Sequence, residues 1–302
     1  MNRQSEPLTL MAVHAHPDDE VVFTGGLLPL YHDRGVRTVL VCCTGGEQGE
    51  IHDPDLDPEA DKHRLGEIRA GELRCAVEVL KIDALEMLNY PDSGMEGTEA
   101  NADPNCFFQS SREEETARLV KLVRRYKPQV LVTYNEYGAY GHPDHIAAHQ
   151  ITTAAYDAAG DPDYLPELGA AWTPLKLYWT AWNEEGFERA QEMYKERGLR
   201  WPWDEDEDEA KDAEAEATEK EAEEKPPPYK PPPITTRIDV RDYMPQKLAA
   251  FACHRTQFMR EGLFRSIPED IAVVAFGVDA LTLVKSRVEA PPTETDLFTG
   301  IV

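Results

Sequence analysis

The chain is expected to fold as an α/β protein: a Rossmann-like, mostly parallel sheet with helices on both faces, a C-terminal lobe and a low-complexity insertion. Three observations predict this. Strand-like and helix-like runs alternate up to residue 180, the rhythm of a parallel sheet with crossover helices. The strand-like runs are short and almost continuously apolar, as strands covered on both faces are. The 302 residues, 41% hydrophobic and 29% charged, suffice for one large core with an appended lobe and fit a soluble globular protein.

Residues 8–14 read as the first strand and 20–34 as a helix ending at Gly35. Residues 36–43 form a second strand, 58–81 a long charged helix and 84–88 a short strand. A helix over 112–126 is closed by Pro128, and a strand at 129–133 leads to a helix at 143–158 and a strand at 175–180. Residues 1–183 are thus read as a catalytic core and 184–203 as a helical connection. The segment 204–233 breaks the pattern, with an acidic, Ala-rich stretch and two triple-proline runs around Tyr229. Proline cannot continue a helix, so this segment reads as a solvated surface insertion. Residues 234–302 complete the same domain, with a strand at 234–240, a helix at 244–259 and an apolar helical run at 267–276.

The net charge of −26 is partly local, because residues 204–224 hold 13 acidic residues and two lysines. Such a balance argues against nucleic acid or an anionic membrane as partner. No apolar run approaches the ~18 residues of a membrane span, and the polar start carries no secretory signal. The five cysteines, Cys42, Cys43, Cys75, Cys106 and Cys253, show no CxxC spacing. They read as reduced thiols in a cytoplasmic protein. Homo-oligomerisation is left open.

Two acid-and-histidine clusters carry the chemistry. The first is Ala15-His16-Pro17-Asp18-Asp19-Glu20 and the second Gly141-His142-Pro143-Asp144-His145. Each follows a strand and leads into a helix, and loops at the carboxyl ends of such strands are where ligands bind. Together they offer the imidazoles and carboxylates of a hydrolytic zinc centre: three ligands, an open position, a base and an acid. His16 and Asp19 are three apart and can face one point, with Asp18 between them free to take a proton. His142 and His145 have the same spacing, and spacing does not say which of them binds metal. His14 reads as structural. His149, a turn deeper than His145, reads as packing. His32, His52 and His63 read as ordinary surface or structural histidines. The glycine-rich 45–50 segment lacks a nucleotide-binding pattern.

The strings VHAHPDDE and GAYGHPDH resemble the two signature motifs of the LmbE-like, or PIG-L, zinc deacetylases. Thr44-Gly45-Gly46-Glu47, Arg69, Asp92-Ser93-Gly94, the stretch from Lys247 to His254-Arg255-Thr256-Gln257 and the ending around Glu294–Gly300 also resemble family positions. The resemblance implies hydrolysis of the N-acetyl amide of an N-acetylglucosaminyl conjugate. It implies zinc, with iron(II) able to use the same ligands, bound by His16, Asp19 and His145. Asp18 would be the general base and His142 the general acid or oxyanion partner. Asp144 would orient His142 and raise its pKa, and Tyr140 would contact the reacting carbonyl. Glu47, Arg69, Asp92 and His254 would contact a small amino-sugar conjugate. Two alternatives accompany this reading. One is an amidase cleaving a cysteinyl-glucosamine amide in a mycothiol-like S-conjugate; the thiol-conjugate branch usually has a lysine after the acidic motif, where this chain reads Val21-Val22-Phe23-Thr24-Gly25-Gly26. The other is a carbohydrate-binding protein without turnover, which would not need the acid–base pair Asp18 and His142.

Overall fold

The computed structural model describes residues 7–199, 201, 229–258 and 267–302. A seven-stranded sheet in the order β3-β2-β1-β4-β5-β7-β6 organises them. Its strands are β1 (Thr9–His14), β2 (Arg37–Thr44), β3 (Ala84–Tyr90), β4 (Val130–Thr133), β5 (Lys176–Ala181), β6 (Thr236–Asp239) and β7 (Val278–Ser286). The first five run parallel, and β7 is antiparallel to both β5 and β6. The expected α/β fold and its mostly parallel sheet are therefore present.

Each strand divides its side chains between two cores, as the two-residue period demands. On β1, Leu10 and Ala12 join one apolar cluster with Leu27, Leu73, Ala76 and Phe251. Met11 and Val13 join the other with Leu119, Val120, Ile151 and Ala155. Helices α3 (Leu65–Val79) and α8 (Met244–Phe251) cover the first face, and α4 (Arg112–Tyr126) and α6 (Pro143–Ala158) the second. Helices α7 (Glu184–Glu196) and α9 (Glu269–Phe276) build a smaller core beside Trp201 and Met244.

Several boundaries differ from expectation for identifiable reasons. The helix expected over 20–34 is two helices, α1 (Asp19–Thr24) and α2 (Leu27–Asp33). The break falls at Gly25-Gly26, where the Asp279 carboxylate accepts the N–H of Gly26 at 3.2 Å and of Leu27 at 2.8 Å. A Cβ on Gly26 would stand 2.5 Å from the Val240 side chain, so only glycine fits this crossing. The helix expected from residue 58 begins at Leu65, after turns and a 3₁₀ turn at Lys62–Arg64. The helix starting at Met244 ends at Phe251. Strand β7 was not expected from the sequence. The acidic stretch 204–224 lies outside the described residues, so its reading stays an expectation. Among the described residues no helix is long and apolar enough to cross a membrane.

The expectation of five free thiols is overturned. Cys75 on α3 and Cys253 just beyond α8 form a disulfide, while Cys42, Cys43 and Cys106 are free and buried. A separation of 178 residues hides this pairing from any spacing rule.

Candidate metal centre and active site

β1 and β4 are neighbours, yet the chain leaves β1 toward β2 and leaves β4 toward β5. That is a topological switch point, and the loops after the two strands open a crevice between them. Both clusters sit there. His16, Asp18 and Asp19 follow β1, and His142, Asp144 and His145 follow β4 through a short turn, α5 (Gly138–Gly141). The loops are stitched together by Tyr134, whose hydroxyl accepts the Ala15 N–H at 2.8 Å and whose ring stacks on His145 at 4.1 Å.

His16, Asp19 and His145 converge. His16 Nδ1 lies 3.3 Å from His145 Nε2 and 3.4 Å from Asp19 Oδ2, and His145 Nε2 lies 3.3 Å from Asp19 Oδ1. A tetrahedral ion with bonds of ~2.0–2.1 Å has ligand-to-ligand edges of about 3.3 Å, close to these pairwise separations, although Asp19 faces His16 through Oδ2 and His145 through Oδ1. The far nitrogen of His16 faces carboxylates, with Nε2 at 3.2 Å from Asp144 Oδ2 and 3.7 Å from Asp92 Oδ1. This arrangement leaves Nδ1 facing Asp19 and His145, and it would make the ring a stronger donor to an ion bound there. Charge points the same way. Asp19, Asp92 and Asp144 are buried around the cluster with Asp18 beside them, and buried carboxylates in excess of cations call for a cation. Burial works against ionising Asp19, but His145 and His16 hold its carboxyl well below the usual range. Burial likewise opposes a charge on His16, and Asp92, Asp144 and Asp19 override it and raise its pKa well above the ordinary value.

His142 belongs to a different role. It caps α6, its Nδ1 accepting the Asp144 N–H at 3.1 Å, with Pro143 at the first helical position. A neutral ring that accepts at Nδ1 carries its proton on Nε2, so it donates there and has no second lone pair for a metal. His142 also lies close enough to His16 and His145 to be grouped with them, but this tautomer favours Asp19 as the third ligand. Burial, then the neighbouring His16 and His145, push the His142 pKa down to about 3. The expected Asp144–His142 side-chain pairing is thereby corrected. The Asp144 carboxylate is taken by His16 and by Ser93, through the Ser93 N–H at 3.0 Å and its hydroxyl.

Asp18 adopts φ 111°, a left-handed backbone that non-glycine residues avoid. Its N–H donates to Glu20 Oε2 at 2.9 Å, and Arg69 Nη2 lies 3.1 Å from its Oδ2. Burial raises its pKa to about 6, with Arg69 opposing and Asp19 adding to the rise. Gly46, at φ 66°, is required here because a Cβ would meet the Arg69 guanidinium at 2.3 Å.

A cavity of 340 Å³ opens over the cluster, lined among others by Asp18, Asp19, Arg69, Asp92, Tyr140, His142 and Gln257. Tyr140 is half exposed, its ring 4.9 Å from that of His145, and burial with the Asp19 charge raises its pKa so that it stays an O–H donor. Asp92 reaches the cavity while accepting the N–H of Gly94 at 2.8 Å and of Gln48 at 2.9 Å. Two of the residues expected to touch substrate sit behind the cavity wall. Glu47 accepts the Asp92 N–H at 2.9 Å and joins two loops. His254 is fully buried, with Nε2 2.6 Å from Glu20 Oε1. His14 is buried against Thr24, and His149 bonds the Tyr134 carbonyl, so both are structural. Sequence reasoning missed Tyr134, Ser93 and Gln257 as parts of the site. Tyr134 could have been found, since it is the residue directly after β4. Ser93 and Gln257 have no signal outside the stretches in which they sit.

Fold and cluster together define an α/β protein with a buried histidine and carboxylate centre that could hold a metal ion. Comparison with known proteins gives the family. The family described as PIG-L, GlcNAc-PI de-N-acetylase, matches residues 11–156. A 1D-myo-inositol 2-acetamido-2-deoxy-alpha-D-glucopyranoside deacetylase of Geodermatophilus obscurus is 36% identical over 97% of both chains. One of Catenulispora acidiphila with the same description is 38% identical, covering 97% of this chain and 89% of its own. The chain belongs to the PIG-L family of de-N-acetylases and is an amide-hydrolysing enzyme of that family. Two solved structures share the fold. An N,N'-diacetylchitobiose deacetylase from Pyrococcus horikoshii has a TM-score of 0.58 at 18% identity, covering 91% of this chain and 83% of its own. A 4-carboxy-2-hydroxymuconate hydratase from Pseudomonas putida has 0.60 at 17% identity, covering 94% and 99%. The second shows that this fold alone does not specify amide hydrolysis.

Proposed function

We propose that this chain is a zinc-dependent N-deacetylase that releases acetate from an N-acetylglucosaminyl conjugate of an uncharged polyol, the inositol conjugate of its relatives' names being the first candidate. The observation that carries this reading is the convergence of His16, Asp19 and His145 beside Asp18 and His142 at one cavity. A bound ion would polarise the amide carbonyl and make a neighbouring water acidic enough to ionise near neutral pH. Asp18 takes that water's proton as the oxygen adds to the carbonyl carbon. The Nε2–H of His142 and the hydroxyl of Tyr140 donate to the oxygen that gains charge. The carbon–nitrogen bond then breaks, Asp18 passes its proton to the departing amine, and acetate remains. Because His142 is neutral, it serves as a donor rather than as the proton source.

The cavity lining supports an aglycone without phosphate. Among the described residues it holds four carboxylates, Asp18, Asp19, Glu50 and Asp92, and one cation, Arg69. Arg69 is already committed to Asp18 and to the carbonyls of Pro17 and Gly46. Apart from a bound ion, a phosphate there would face four carboxylates against one guanidinium. Iron(II) is the competing ion for the same donors.

The test measures acetate release from N-acetylglucosaminyl-inositol, from a phosphate-bearing analogue and from a cysteinyl-glucosamine S-conjugate, with bound metal quantified. The first should give the highest kcat/KM. Faster cleavage of the S-conjugate would establish the amidase instead, and full metal occupancy without hydrolysis of any of the three would overturn the reading.

A further inference from the structure

Two arms grip Asp18, and one disulfide joins the arms. Helix α3 is the first arm. It carries Arg69, 3.1 Å from Asp18 Oδ2, then Glu72 one turn on, then Cys75. The second arm is the segment 253–257. Its His254 bonds Glu20 Oε1 at 2.6 Å, and the other oxygen of Glu20 accepts the Asp18 N–H at 2.9 Å. The first arm thus holds the base by its carboxylate and the second by its backbone. The arms are tied at two points. Cys75 and Cys253 are disulfide-bonded with Cα atoms 5.7 Å apart, and Thr256 donates its N–H and hydroxyl to Glu72 at 2.8 and 2.6 Å. What they hold is a strained residue, since Asp18 at φ 111° keeps that conformation only while its surroundings impose it. None of the hydrogen bonds of His16, Asp19 or His145 goes to either arm.

We propose that the Cys75–Cys253 disulfide holds the base in its working position through these arms, so that turnover depends on the redox state of this bond. The proposal rests on the reading of Asp18 as general base. Cys75 is exposed and Cys253 half-buried, so a dithiol can reach the bond. Its thiolate attacks Cys75 Sγ, the protein disulfide breaks, and Cys253 Sγ leaves with the electron pair and takes a proton. The second thiol of the reductant then attacks the mixed disulfide and frees Cys75 as a thiol. The reductant ends as a cyclic disulfide, and two electrons and two protons have passed to the protein. His254 is thereafter tied to α3 by the Thr256–Glu72 hydrogen bonds and by the apolar packing of Phe251, without the covalent link. Glu20 is held less firmly, and Asp18 can relax out of its strained conformation. Glu20 and His254 are in this account positioning residues.

The experiment compares the oxidised enzyme with the same enzyme reduced by dithiothreitol, well below its melting transition and with native circular dichroism in both states. Cys75→Ser serves as a variant locked in the reduced condition. Reduction should lower kcat by roughly tenfold to a hundredfold, the cost of a small misplacement of a catalytic group, with KM and metal content unchanged. Cys75→Ser should show the lowered kcat with or without reductant. Amide exchange of residues 16–24 should quicken on reduction, because the Asp18 N–H loses its fixed partner. Equal kcat in the two states overturns the proposal. If the oxidised enzyme releases no acetate from any N-acetylglucosaminide, the functional reading has failed. The exchange comparison still decides the link, and unchanged exchange over 16–24 overturns it.

Discussion

Asp144 illustrates how adjacency in sequence misleads about contact. It stands two residues from His142, yet its carboxylate turns to His16 and Ser93, because α6 begins at Pro143 and points the two side chains apart. Asp144→Asn should therefore weaken metal binding, by roughly 10–100-fold for a partner that orients a ligand, as measured by chelator competition. It should leave the alkaline side of the rate–pH profile in place, because His142, down at about 3, is already neutral across that range. The acid limb has a different owner. Asp18, raised to about 6, must be ionised to accept a proton, so kcat/KM should fall as pH drops through about 6. His254 supplies a stability signal. Burial would lower its pKa, but Glu20 and then Asp18 raise it above 6.5. The folded protein then holds this proton more tightly than the unfolded chain. The pairing stabilises fully below pH 6.5 and is lost as pH rises through the folded pKa. Urea midpoints measured between pH 6 and 9 should show that decline in the wild type and a flatter curve in His254→Gln.

At the scale of elements, the sequence was most legible where one local rule decided the outcome. The helix ending at Tyr126 closes on Lys127 in a left-handed conformation ahead of Pro128, and Pro143 opens α6 behind a capping histidine. β1, β2 and β4 were apolar runs buried on both faces. The meeting of the two motifs was legible for a related reason, since one follows β1 directly and the other follows β4 after a short turn. What stayed hidden depends on partners far along the chain. The break between α1 and α2 is set by Asp279, and the role of His254 by Glu20. Strand β7 escaped notice because its burial comes from β5 and β6 rather than from any turn signal beside it. Asp279 also ties α8 to the sheet, its Oδ1 2.8 Å from Lys247 Nζ with both side chains buried. Asp279→Ala strands a buried ammonium and uncaps α2, so it should destabilise by about 3–5 kcal/mol in urea unfolding. Lys247→Met added to it should recover much of that loss.

At the scale of the whole molecule, the disulfide closes a loop of 178 residues. By chain entropy its removal costs at most about 5 kcal/mol, so reduction should shift the denaturant midpoint clearly while leaving a folded protein. The sheet order carries a consequence for synthesis. β6 precedes β7 in the chain, yet β7 lies between β6 and β5. A growing polypeptide that has made β6 lacks its native partner, and the free edge of β5 stays open until residues 278–286 arrive. The last stretch then locks the arrangement from inside, with Glu294 taking the buried Lys176 ammonium and the Tyr178 hydroxyl. Residues 14–145, which carry the proposed metal ligands, are by then long completed. A chain stalled before residue 278 should thus hold its metal ligands and an unprotected strand edge at once, a nascent state suited to capture metal and prone to pair with its neighbours.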